Sequence, residues 1–198
     1  MYNLNLKTLK ALAKLAPKSD THYYLEGVYV DFQADQTLYA VCNGHYLVMV
    51  QEPASGDELL HMIIPRETLL SQKFGYNDPE VHGMTISSNS YIVRNTIFQP
   101  IDGNYPDWQR LIPDHEMIAI NNPGQQFNPD YLKLISDCFQ TVSGSKFPPA
   151  ILYNKSDTGP GVIVGNDSFM GIIMPMRTEG SGIPDWFSNG RTQLKQVA

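Results

Sequence analysis

Apolar residues recur at three- and four-residue steps near the start of the chain: Leu6, Leu9, Ala13 and Ala16. That spacing predicts an amphipathic helix over 4–16, closed by Pro17. From Tyr23 the period drops to two, which predicts strands over 23–32 and 37–50. Within LYAVCNGHYLVMV the pair Asn43-Gly44 separates two strand-like runs. It predicts a hairpin whose tight turn takes positive φ at both central residues. Residues 60–64 read as another strand, and Pro65 suits the first turn of a short helix through about Lys73. A loop at 75–80 leads to strands near 81–87, 90–95 and 96–101. Asp102-Gly103-Asn104 and Tyr105-Pro106-Asp107 mark turns.

A second part opens near Leu111, with a short strand expected at 117–121. Asn128 is a good helix cap and Pro129 a good first helical residue. They start a helix over 129–142 whose apolar side is Tyr131, Leu134, Ile135, Cys138 and Phe139. Strands near 149–154, 161–165 and 169–175 follow, and a polar, Gly-rich tail runs after Arg177. A helix followed by about three strands thus occurs three times, at 4, 65 and 129. That order predicts an α+β fold of repeated helix-plus-antiparallel-strand units. The division expected is 1–110, 111–177 and a tail at 178–198. YPDW at 105–108 is echoed by IPDW at 183–186, a match short enough to arise by chance.

Composition narrows the function. The 198 residues are 42% hydrophobic and 17% charged, a globular balance. A net charge of −6 argues against general, tight binding to nucleic acid, though one basic face could sit on an acidic body. Cys42 and Cys138 form no CxxC pair and read as two reduced, buried thiols. The lysines spread through the N-terminal segment do not suit a signal peptide, and no apolar run spans a membrane. A soluble, cytoplasmic protein is expected. Phosphate-loop, dinucleotide, zinc-protease and nucleophile-elbow motifs are missing from the sequence, and the five histidines stand at no metal-ligand spacing. No cofactor, metal or catalytic residue is therefore assigned.

Two features carry more. Lys7, Lys10, Lys14 and Lys18 recur within about 100° on one helix face. Such a face is either an ordinary solvated surface or a positive rail for phosphates. At 172–177 the strand-like IIMPMR runs into Met-Pro-Met. Proline suits a strand end, and methionines make a soft, adaptable surface. The segment is either a core strand with a capped end or one wall of a groove for an apolar peptide.

In the same order, five motifs resemble the bacterial sliding clamp, the beta subunit of DNA polymerase III. THYYLEGVYVDF (21–32) resembles its Arg-Tyr-Tyr-Leu-Asn-Gly strand. CNGHYL (42–47) resembles its Thr-Asp-Gly-His-Arg-Leu hairpin, and MIIPRETL (62–69) its Val-Pro-Arg helix start. IDGNYPDWQRLIP (101–113) is similar to its Asp-Gly-Arg-Phe-Pro-Asp-Tyr segment with the following Leu-Pro, and IIMPMR to its Val-Met-Pro-Met-Arg. The resemblance covers about residues 4–177. It implies a shortened DNA-clamp fold, matching the middle domain and about half of the last.

The resemblance also implies a function without catalysis: a replication processivity factor that tethers DNA polymerase or other clamp-binding-motif proteins. The partner peptide would lie in an apolar cleft walled by Leu25, by Gly44, His45 and Leu47, by Pro113, and by Ile172, Met174, Pro175 and Met176. Tyr46 would stand at its rim, where the family has arginine. Helices carrying Lys7, Lys10, Lys14, Arg66, Lys73 and Lys133 would face double-stranded DNA and touch its backbone without reading sequence. Lys133 is offset by Asp130 and Asp137. Rings of this family have six domains, so a ring of one-and-a-half-domain chains would need four of them, with strand edges to cover; self-association through such an edge, a homo-oligomer, is expected. Such a short form fits a phage or prophage gene. Two further readings stay open: a clamp-fold binding module that does not encircle DNA, and an enzyme whose site the sequence hides.

Overall fold

Asn5 decides where the first helix begins. Its side-chain oxygen accepts the Thr8 backbone N–H at 3.1 Å, the geometry favoured at a helix start. Helix α1 (Leu6–Ala13) therefore begins two residues later than the periodicity predicts. Strand β1 (Tyr2–Asn5) occupies the earlier positions, and Leu4 reaches the core from that strand, fully buried. The computed structural model describes residues 2–56, 58–75, 78–87, 90–112, 126–154 and 159–176. The expected strand at 117–121 and the tail at 178–198 lie outside them.

Strands β2 (Gly27–Phe32), β3 (Gln36–Cys42), β4 (Tyr46–Pro53) and β5 (Leu60–Pro65) follow. The strand expected from Tyr23 starts later because Tyr23–Leu25 wind into a 3₁₀ turn. The β3–β4 hairpin forms where Asn43-Gly44 predicts it, but its turn is centred one residue further on. Only Gly44 takes a left-handed φ, 81°. Asn43 caps the turn instead, its side-chain oxygen accepting the His45 and Tyr46 N–H groups at 3.0 Å each. Asparagine does this because its short amide mimics a backbone carbonyl.

Helix α2 (Arg66–Leu70) is shorter than expected, and Pro65 precedes it as the cap residue. Beyond it Gln72 turns inward and its amide donates to the Thr68 carbonyl and the Thr96 hydroxyl. Strands β6 (Val81–Ser87), β7 (Ser90–Val93) and β8 (Thr96–Phe98) come next. The break between β7 and β8 falls at Arg94, whose φ is 53°. The Arg94 guanidinium donates to the Asp78 carboxylate at 2.8 Å and to the Lys73 carbonyl at 2.7 Å.

Helix α3 (Pro129–Ser143) starts where the sequence predicts. Asn128 accepts the Asp130 N–H at 2.9 Å, and Gly144, at φ 67°, ends the helix. Replacing Asn128 with alanine should destabilise the fold by about 1 kcal/mol, whereas glycine should cost only a few tenths. Equal melting temperatures for wild type and Asn128→Ala would show that the cap contributes nothing. On α3, Ile135, Cys138 and Phe139 are buried as expected, but Leu134 is 37% exposed. It lies off the apolar stripe, on the solvent side of Ile135. The chain continues through strands β9 (Ile151–Asn154), β10 (Gly161–Asn166) and β11 (Phe169–Ile173).

Among the described residues two sheets form. One has order β1-β6-β7-β8 and the other β5-β2-β3-β4-β11-β10-β9. Every neighbouring pair is antiparallel. Helix α1 touches both α2 and α3. Leu9 and Leu12 of α1, Leu69 of α2 and Ile135 of α3 share one core with Val28, Val41, Val48 and Ile173 of the large sheet. The helices therefore lie on one face of that sheet. Its other face carries a smaller cluster of Leu25, Ala40, Cys42, Leu47, Met49 and Ile172.

Candidate partner-peptide cleft and basic helix face

Strand β11 lies beside β4, in a register that sets Ile172 opposite Leu47 and Ile173 opposite Tyr46. Alternate side chains of a strand take opposite faces. Leu47 and Ile172 thus share the outer face with Leu25 and Cys42. As the chain leaves β11, the Met174 N–H donates to the His45 carbonyl at 2.8 Å. That bond ties the Met-Pro-Met segment to the hairpin tip. Met174 and Met176 are 48% and 47% exposed, and Pro175 between them is half-buried. Gly44 and His45 sit exposed at the tip, with open space around the Gly44 Cα. Leu25, Gly44, His45, Leu47, Ile172, Met174, Pro175 and Met176 are thereby brought together from three stretches of chain.

Tyr46 does not join them. Its side chain lies on the helix-bearing face, where its hydroxyl donates to the Leu15 carbonyl at 2.6 Å. Burial raises this phenol's pKa above its ordinary range. Tyr46 ties the hairpin to the end of α1 and is no rim residue. Pro113 lies outside the described residues.

Three contributors escape the sequence pattern. Tyr131 of α3 stacks on His45, with ring centres 5.6 Å apart, and meets Tyr46 edge-on at 5.2 Å. Its helical spacing marks it only as apolar, because the hairpin tip it meets is distant in sequence. Trp108, in the 3₁₀ turn Trp108–Leu111, and Ile112 pack on the outer cluster. With Leu38, Met49 and Met170 they line a recess of about 280 Å³ along the same face. The thiols are inert by environment. Burial raises the pKa of Cys42 and pushes Cys138 up to about 12. Among the described residues no three His, Cys, Asp or Glu side chains gather to hold a metal, and no helix is long and apolar enough to cross a membrane.

The six basic residues lie on or beside the three helices, but most are already engaged. Lys7 pairs with Glu80 and Lys133 with Asp137, each at 2.6 Å. Arg66 pairs with Glu67 and donates to the Ala16 carbonyl at 3.2 Å. Lys10 donates to the Gln72 carbonyl and lies over the Phe74 ring, 5.3 Å from its centre. Lys14 and Lys73 are exposed, and their ammonium groups make no hydrogen bond or ion pair among the described residues.

The fold is that of known sliding clamps. A DNA polymerase sliding clamp from Bacillus subtilis superposes with a TM-score of 0.68 at 15% identity, covering 89% of this chain and 64% of that one. The DNA polymerase III beta chain of Streptococcus pneumoniae gives 0.67 at 19% identity, with 89% and 64% covered. A sliding clamp from Pseudomonas aeruginosa gives 0.65 at 15% identity, with 89% and 66% covered. The chain therefore spans 64 to 66% of the length of these three proteins. No protein-family model matches it, and no curated protein matches it in sequence.

Proposed function

We propose that this clamp-fold chain is a replication processivity factor that tethers a DNA polymerase, or another protein bearing a clamp-binding motif, through the cleft between β4 and the end of β11. One observation carries the reading: the β4–β11 pairing assembles Leu47, Ile172 and the exposed Met174 and Met176 beside the His45 tip. An extended apolar peptide fits such a surface, because methionine adapts its shape and the tip offers a polar anchor. In this reading residues 1–110 are a clamp-like domain, 111–177 a half domain joined to it edge to edge, and Lys14 and Lys73 give weak contact with the DNA backbone. Homo-oligomerisation through open sheet edges would extend the surface, and the setting would be cytoplasmic.

Met174→Ala should weaken binding of a clamp-binding peptide about five- to twentyfold, the loss of one half-buried apolar contact. Calorimetric titration of wild type and variant measures it. Equal affinities would remove the cleft assignment.

The ion pairs of Lys7, Arg66 and Lys133 favour a second reading, a protein-binding module that keeps the cleft and does not encircle DNA. Mass measurement with primed circular DNA separates the two. A closed oligomer that stays on the circle and leaves it on linearisation supports the processivity factor. A monomer without DNA affinity supports the module.

A further inference from the structure

A further cavity lies at the β5 edge of the large sheet, three strands from β4. It encloses about 680 Å³ at the open edge of β5, where the segment 100–105 leaves the sheet. Its walls are aromatic. Tyr29 of β2 and Tyr105 stack with ring centres 5.0 Å apart and planes 14° from parallel. Tyr91 of β7 and His61 of β5 add further rings. The charge around it is acidic. Asp102 lines the cavity, and the Tyr29 pKa is raised by burial and then by Asp31, two residues on along the same face of β2. Among the described residues no lysine or arginine lines it. Aromatic faces carry negative potential, so rings and carboxylates act in one direction here, favouring a cation.

The strand beside the cavity is open as well. In an antiparallel ladder each residue turns both backbone groups either to its partner strand or away from it. Arg66 N–H donates to the Glu26 carbonyl of the β2 side at 3.0 Å, while the Ile63 carbonyl accepts Ile101 N–H from the other side at 2.9 Å. Even-numbered residues of β5 therefore face β2, and odd-numbered ones face outward. The N–H and carbonyl of His61 point to the open edge, and no backbone bond reaches them among the described residues. An extended peptide laid along that edge gains backbone bonds at His61 while one side chain enters the cavity.

We infer that this edge and cavity form a second binding site, taking an extended segment of a partner protein that lays an arginine side chain along the aromatic wall of the cavity, beside the stacked Tyr29 and Tyr105, towards Asp102. Guanidinium suits the place better than an apolar group, since it stacks on aromatic faces and is weakly hydrated.

The test uses the whole chain and the blocked peptide acetyl-Thr-Val-Arg-Val-Thr-amide, against the same peptide with citrulline in place of arginine. Citrulline keeps the shape and loses the charge. The arginine peptide should bind at least tenfold more tightly, with amide shift changes at 59–63 and 101–105. Asp102→Asn, at an exposed residue, should weaken the arginine peptide about fivefold and leave the citrulline peptide unchanged. Equal affinity for the two peptides, no effect of Asp102→Asn, or no binding at about 5 mM peptide would each overturn the inference. So would shift changes confined to the β4–β11 cleft.

Discussion

Leu12→Ala should lower the stability of the folded chain by about 3 kcal/mol, within the range for emptying a fully buried leucine site. Leu12 has no exposed surface. It belongs to the helix that touches both α2 and α3 and packs on β2 and β3, so its neighbours are held from several sides and collapse little into the space left. For a chain of this size the loss should appear as a melting temperature about 6–12 °C lower. Leu134→Ala is the control. The same chemical change at a position 37% exposed should cost under about 1 kcal/mol. Chemical denaturation of both variants measures the contrast. If Leu12→Ala cost no more than Leu134→Ala, α1 would not be the centre of the shared core, and the packing of three helices on one sheet face would need to be redrawn.

That contrast marks where periodicity is informative and where it stops. Spacing predicts α3 because fifteen helical residues repeat their apolar stripe several times and begin with an asparagine cap. It still admits Leu134, since two adjacent apolar residues differ by about 100° and only packing decides which faces inward. Strand β1 is too short to show a period, and its partner β6 is far along the chain. The local pattern therefore extends the helix over it, and only the Asn5 cap signals the boundary. Within the candidate site, Leu47, Ile172 and Met174 are readable through the clamp resemblance. Tyr46 is misplaced because a single-residue step in a strand exchanges one face for the other. The lysine stripe is visible in sequence, while its neutralisation is not. Glu80, which pairs with Lys7, sits just before β6 and meets α1 only once the chain has folded.

That neutralisation has a measurable consequence for DNA. If all six basic residues released counterions, the logarithm of affinity would fall against the logarithm of salt with a slope of about −5 per chain. Lys7, Arg66 and Lys133 already have carboxylate partners, and Lys10 is held by a carbonyl and an aromatic ring. Lys14 and Lys73 remain, which gives a slope of about −2 per chain. Weak contact of that kind suits sliding, since each phosphate bond is readily exchanged for the next. Lys14→Glu combined with Lys73→Glu should abolish binding at about 0.1 M salt, turning both attractions into repulsions within a Debye length of the backbone. Lys7→Gln with Lys133→Gln should change the slope by less than one, because those ammonium groups contribute to their carboxylates before any phosphate arrives. Fluorescence anisotropy on a labelled duplex across a salt series reads all three. A wild-type slope near −5 would mean that phosphates displace Glu80 and Asp137, and that the whole helix face works as a rail. A slope near zero for every variant would leave the cleft as the working surface and make the protein a holder of partners away from DNA.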